Sequence, residues 1–523
     1  MNLRTCSKLV FPNHRMAQYF QRPYPGPIPD YPGNYYSSSP PQQYFAISEG
    51  KSQYQDELYR PQKKINDPIF LILFVLQFLG FAGISVIVIL DWVKRGGTGA
   101  GLGKPGTKNE LHITLNEDTI FLLLLVTAAA LLLSIAYMIL TRIFTRAVMH
   151  VTLVLSILLN VALCAFFWIT KVYIAAVVFT IIALLSVFSY WGMKKFIPFS
   201  SLLLQVVMDV SKHHMSVFVV AFVALIAQAA MAVWFTFTAI ATYIKFTPGT
   251  PACSTDPSSC STGKVIGLVV FELISFMWTS QVIGNVALST VAGGPYGTWY
   301  YFGPKNQGQM PNHPTLSAFG RAMSVSLGSI AFGSLIVTLL EVIRMVLNAV
   351  ENNASADGHP VEMCLACCAS CFVGILESMV EYFNKYAYIE IALFGKAYIP
   401  AAKDTWRMFK DRGMTALIND SLVSMTMLWG AYAVGCLSSL LAFLYLRITA
   451  PAYNTSGDYT IPVVVFAFLI AVMCSLTMTS SIDAGVSTIF VGLGTDPQVL
   501  AERAPVLFNM IAEHYPEVVR PVV

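Results

Sequence analysis

Apolar residues in this chain neither alternate nor recur every third or fourth position along most of its length; they run together. Ten such runs cover 68–90, 118–140, 147–169, 172–193, 215–243, 265–288, 322–347, 361–393, 420–446 and 461–481. Each is about as long as the ~20 residues an α-helix needs to cross a bilayer core. The pattern predicts an all-α integral membrane protein of about ten transmembrane helices. The eighth run is the least pure, interrupted by Glu377, Glu381, Lys385 and Glu390. Composition points the same way: of 523 residues, 56% are hydrophobic and 11% charged, too few charges to keep such a chain dispersed in water.

Between the runs the period changes. Phe199, Leu202, Leu203, Val206, Val207 and Val210 follow the i, i+3, i+4, i+7 rule, with Gln205, Asp209 and Lys212 elsewhere. This predicts an amphipathic helix lying in the membrane plane at the cytosolic face. A second is expected before the ninth run, with Ile399, Ala402, Trp406 and Phe409 on one side and Lys403, Asp404, Arg407, Lys410 and Asp411 on the other. His213 and His214 have no carboxylate or cysteine at ligand spacing and read as interfacial residues. Residues 1–66 are rich in Pro, Tyr, Ser and Gln without an apolar face, and are expected to form a disordered cytosolic tail. They contain no secretory signal, so the first run serves as its own targeting signal, and Met16 is a second candidate start. The transmembrane domain then spans 67–494. A short cytosolic tail, 495–523, carries Pro497, Pro505, Pro516 and Pro521 and has room for at most one brief helix.

A net charge of +4 leaves no nucleic-acid footprint, but its distribution orients the chain. Arg142, Arg146, Lys194, Lys195, Arg321, Lys396 and Lys403 are among the majority of flanking cations on the side of the two termini, which places both termini in the cytosol. Cys253 and Cys260 then share an extracytosolic loop and are candidates for a disulfide. The sequons at Asn353 and Asn454 fall on that outer side as candidate glycosylation sites, while Asn419 falls inside. Cys364, Cys367, Cys368 and Cys371 share one helical face. Their outer thiols stand ~10 Å apart along the axis, too far for one zinc ion, so close helix packing is the preferred reading, with S-palmitoylation or a partner-supplied metal site as the alternatives. No cofactor or metal site is expected.

An ionised carboxylate at mid-bilayer costs ~2.5–3.5 kcal/mol on the insertion scale, so polar groups inside the runs need a reason. Glu272 is the deepest. On the same run Trp278, Gln281 and Asn285 form one stripe, and Glu272, Ser275 and Thr279 border the face beside it. Two polar faces fit a helix lining a wet cavity and equally fit a hydrogen-bonded lock between helices. Lys385 is placed to pair with Glu381, and Arg344 with Glu341. Asp483 is expected at the cytosolic boundary, just past the tenth run. Phosphate loops, HExxH, nucleophile elbows, arginine ladders and TVGYG-like filters are absent, which removes enzymes and voltage-gated channels and leaves transport as the default class.

Four segments carry a family resemblance: MWTSQVIGNVALSTVAGGPYGTWYYF (277–302), GSIAFGSLIVTLLEVIR (328–344), CLACCASCFVGILESMVEYFNKYAYIEIALFGKAY (364–398) and GVSTIFVGLGTDP (485–497). With the layout of the runs, the chain resembles the choline transporter-like family over about 68–515. Its short first outer loop and Pro/Tyr-rich tail are most similar to the fungal and protist branch. The resemblance implies a carrier, in the plasma membrane or an organellar one, for choline or a related ethanolamine-type cation, exchanged against protons. A quaternary ammonium lacks N–H donors, so aromatic faces must recognise it. That assigns Trp278 to the ammonium, Trp234 or Tyr243 to a second wall, Gln281 and Asn285 to the hydroxyl, and Glu272 to the proton. A channel or lipid-handling protein of the same fold is the alternative. A further alternative is a scaffold whose N-terminal tail recruits adaptor proteins.

Overall fold

The structure is a computed structural model. It describes residues 65–94, 117–171, 173–248, 260–303, 312–356, 360–412, 414–449 and 460–514. The helices, in chain order, are α1 (Pro68–Lys94), α2 (Glu117–Ile143), α3 (Thr145–Ile169), α4 (Tyr173–Met193), α5 (Ile197–His213), α6 (Ser216–Phe246) and α7 (Thr262–Val291). A single π-helical turn (Ala292–Tyr296) joins α7 to α8 (Gly297–Phe302). There follow α9 (Pro314–Met323), α10 (Leu327–Ala356), α11 (Pro360–Phe394), α12 (Tyr398–Arg412), α13 (Met414–Thr449), α14 (Thr460–Thr495), α15 (Pro497–Arg503) and α16 (Pro505–His514). Among the described residues there is no strand, and ten helical runs are long and apolar enough to cross a membrane, one of them being α7 continued through α8. The protein is an all-α multi-pass membrane protein. Alternation of the spans puts Arg142, Lys194, Arg321 and Lys396 at one end of the bundle, called here the basic end.

Several boundaries differ from the apolar runs, each for a local reason. The seventh run does not start a helix at Ala322. The Val325 carbonyl accepts from the Asn66 N–H (3.0 Å), and the Ser326 N–H donates to Arg321 O (3.0 Å), so the ladder breaks and α9 separates from α10. The tenth run continues to Thr495, because Ile482, Val486, Ile489 and Leu493 keep it buried beyond the polar patch. Asp483 is therefore inside α14, where it accepts from Lys385 (2.6 Å) and Ser424 (2.8 Å). Lys385 thus pairs across helices, not with Glu381. Arg344 likewise reaches Glu377 on α11 (2.8 Å), because Glu341 already receives the Gln281 amide (3.1 Å). The C-terminal segment holds two brief helices where one was expected. Pro497 and Pro505 stand at their first turns, where a missing N–H costs nothing.

The helix expected to lie in the membrane plane is more deeply placed. α5 buries residues on both its faces, Ser200, Ser201, Val206 and Val207 among them, against α3, α13 and α14. Close approach at this point needs a glycine: a Cβ on Gly485 would stand 2.5 Å from the Tyr296 ring and 2.6 Å from Val207. On α12, Ile399 and Trp406 are left uncovered by protein, whereas Phe409 of the same expected stripe packs against Tyr382 and Tyr386 of α11. The four cysteines of α11, in contrast, are exposed and free, so the stripe does not pack within the chain. Small residues permit close packing but do not compel it; here the opposite face of α11, at Asn384, Tyr388 and Ile391, is the one that is buried.

Candidate functional site

A cavity of about 1060 Å³ opens between α1, α6, α7 and α9. Its rim is polar, with His214, Asn312 and His313 at the basic end. From there it deepens between α6 and α7 to a floor of Phe74, Phe78 and Trp234. Phe78 meets Trp234 edge to face (centroids 5.8 Å apart, planes at 86°), and buried Phe81 packs on its other side at 5.0 Å. The Trp234 indole N–H donates to Ser85 Oγ (2.5 Å), as does Thr238 Oγ1 (3.0 Å), which fixes the ring. No Asp, Glu, Lys or Arg lines the cavity among the described residues.

A polar line leaves the floor along α7. Thr279 lines the cavity and accepts from Gln77 Nε2 (3.4 Å). Ser275 and Glu272 follow on the same face, both fully buried. Thr242 donates to Glu272 Oε1 (2.6 Å), whereas Glu272 Oε2 and Ser275 Oγ have no hydrogen-bond partner among the described residues. Buried polar atoms are nearly always paired, so these mark a place for water, a proton or a ligand group. Glu272 lies ~10 Å beyond Thr279 at 1.5 Å per residue. Past it the path is shut: Val88, Trp92, Ala241, Phe246 and Val265 pack together, Lys264 caps the Phe246 ring at 4.7 Å, and Lys245 stands 3.8 Å from Asp91.

The residues expected from sequence separate into two groups. Trp234 lines the cavity, and Glu272 is buried beyond its floor. Trp278, Gln281 and Asn285 do not face it. The Trp278 indole N–H donates to Ala331 O (3.0 Å), Gln281 donates to Glu341 (3.1 Å), and Asn285 donates to Ser334 Oγ (2.9 Å). All three lock α7 to α10, so the stripe is the interhelical lock, and only the neighbouring 272–275–279 face reaches the cavity, through Thr279. Trp278 reaches the site at second hand, through an edge contact with Phe74 (5.4 Å). Tyr243 is 58% exposed on the outer surface of α6 and cannot wall the site. Sequence reading missed Phe74 and Phe78; the available signal was an i, i+4 aromatic pair in the middle of the first run. Cys260 is disulfide-bonded, while Cys253 and Asn454 lie outside the described residues. Asn353 is exposed in the last turn of α10.

Comparison with known proteins adds a second kind of finding. A family model described as plasma-membrane choline transporter matches residues 177–498. Protein PNS1 of Cryptococcus neoformans var. neoformans serotype D is 50% identical over 504 residues, covering 93% of this chain and 91% of that protein. Protein PNS1 of Mycosarcoma maydis is 39% identical, covering 98% and 95%. Protein PNS1 of Candida albicans is 37% identical, covering 90% of each.

Proposed function

Because the chain belongs to the choline transporter-like family, we propose that it carries choline or a related ethanolamine-type cation through the α1–α6–α7 cavity in exchange for protons. The observation that carries this reading is the aromatic floor of Phe74, Phe78 and Trp234 with a buried carboxylate just beyond it. Ring faces attract a quaternary ammonium by up to ~2 kcal/mol each once it is desolvated, without needing a hydrogen bond it cannot give. Thr279, Ser275 and Gln77 offer hydroxyl and amide groups to the cation's own hydroxyl.

Glu272 supplies the coupling. A carboxylate shut away from water carries a proton or a counter-cation at low cost, and neither together. The cation moving past Trp234 displaces the proton, and the proton returning displaces the cation. Under the positive-inside rule the basic end faces the cytosol, with both termini on that side. The cavity is then open inward and sealed outward at Trp92 and Phe246, in a plasma-membrane carrier.

Radiolabelled choline flux into proteoliposomes, with and without an imposed pH gradient, tests the reading. The full chain is expected to accumulate choline saturably when a pH gradient is imposed. Glu272→Gln keeps the bond from Thr242 but cannot titrate. It is expected to retain choline/choline exchange and to lose accumulation driven by the gradient. Flux that never saturates would indicate a pore and overturn the carrier mechanism.

A further inference from the structure

The cavity is larger than the solute assigned to it. At ~30 Å³ per water-sized group, a choline-sized molecule fills on the order of a fifth of the 1060 Å³. The surplus is not walled by protein on every side. Val219 and Val223 of α6 line the cavity and are 59% and 57% exposed. They belong to a stripe continued by Ile226, Val233 and Ile240, which are exposed and do not line it. Residues so spaced share one face, and on a bilayer-crossing helix an exposed apolar face meets hydrocarbon. Opposite, α9 presents Leu316, Phe319 and Met323 at i, i+3 and i+7, all exposed. The slot between α6 and α9 therefore opens sideways into lipid.

We infer that this cavity holds one acyl chain of a phospholipid from the leaflet at the basic end, admitted through the α6–α9 slot. Length agrees. The lined stretch of α6 from Ser216 to Trp234 measures ~27 Å at 1.5 Å per residue, enough for a chain that spans about half of the ~30 Å core. Polarity agrees as well: the rim at His214, Asn312 and His313 stands at headgroup level, and the walls below carry no charged residue. The chain covers apolar wall that a small cation leaves bare, and the aromatic floor remains the cation's. The inference rests on the shape of the cavity and not on the choline reading.

The test uses the full chain in nanodiscs containing a phosphatidylcholine with a diazirine at the end of one acyl chain, irradiated and mapped by mass spectrometry. Adducts are expected inside the cavity above its aromatic floor, at Ala230, Val286 or Ile283. Ala227→Trp, which fills the cavity midway, should lower them at least five-fold, with adducts at Leu184 and Phe188 on the outer face of α4 unchanged. Val223→Trp, which blocks the slot from an exposed position, serves as the second variant, and the melting temperature identifies whichever one folds. Adducts confined to outer faces would mean a wet vestibule only and would overturn the inference. So would deep labelling undiminished in a folded variant. Neither readout uses transport, so its failure is separate from that of the carrier reading.

Discussion

Trp234 and Trp278 are the same side chain in different employment. Trp234 is half-buried and lines the cavity, whereas Trp278 is 3% exposed and spends its N–H on the Ala331 carbonyl. Trp234→Leu keeps an apolar body and removes the π face, so the KM for choline should rise by roughly 10- to 30-fold, the equivalent of the ~1.4–2 kcal/mol of one desolvated cation–π contact. Melting in detergent should fall by less than it does for the more deeply buried Trp278. Trp278→Leu should do the reverse, since it empties core volume and orphans a buried carbonyl, a loss on the order of 3 kcal/mol. Uptake kinetics and melting on both variants check the pair, and a KM effect confined to Trp278→Leu would refute the assignment. The sequence showed both polar faces of α7 but not which way they point. Rotation of a helix about its axis is fixed by its neighbours, and α10 takes the 278–281–285 face.

Elements show where periodicity stops being informative. The ten crossings were legible because hydrocarbon length and apolar run length are the same physical quantity. The π turn at Ala292–Tyr296 was not, because it depends on packing across helices. A Cβ on Gly293 would stand 2.7 Å from the Ala392 carbonyl, so α11 packs directly against the turn. The Glu390–Lys396–Asp404 clasp joins α11 to α12 across Gly395, with Lys396 Nζ 2.9 Å from each carboxylate. Burial works against the ammonium, yet the facing Glu390 and Asp404 outweigh it and hold Lys396 above the ordinary lysine range. Asp496, between α14 and α15, has no such partner for Oδ2, and burial pushes its carboxyl up. A carboxyl raised in the folded state contributes stability below its unfolded value and loses it as pH rises through the folded one. Asp496→Asn, nearly isosteric and uncharged, should therefore melt higher than the parent at pH 7. The gap should close below about pH 4, near the unperturbed carboxylate value. A gap independent of pH would place the effect in packing instead.

At the scale of the molecule, the carrier reading makes this arrangement one state of a two-state machine. The path is open from the basic end to Trp234 and closed beyond Glu272 by the Trp92–Phe246 cluster and the Asp91–Lys245 pair. A carrier needs the complementary state, reached by α1, α6 and α7 parting at the sealed end. The seal's ion pair is partly exposed, at 25% and 23%, so it contributes within the ~0.2–1 kcal/mol typical of such pairs. Removing it should shift the balance of states by no more than about five-fold. Thr279→Cys, in a background whose other free cysteines are serine, reports this directly. A membrane-impermeant thiol reagent should modify it from the cytosolic side of oriented vesicles and slowly or not at all from the outside. Adding Asp91→Asn should raise outside modification two- to five-fold and lower modification from the cytosol. Rapid outside labelling in the parent would reverse the orientation assigned to the basic end, and labelling from both sides at equal rates would make the cavity a pore. The small predicted shift also discriminates: if Asp91→Asn opens the path completely, the ion pair rather than the aromatic plug is the seal.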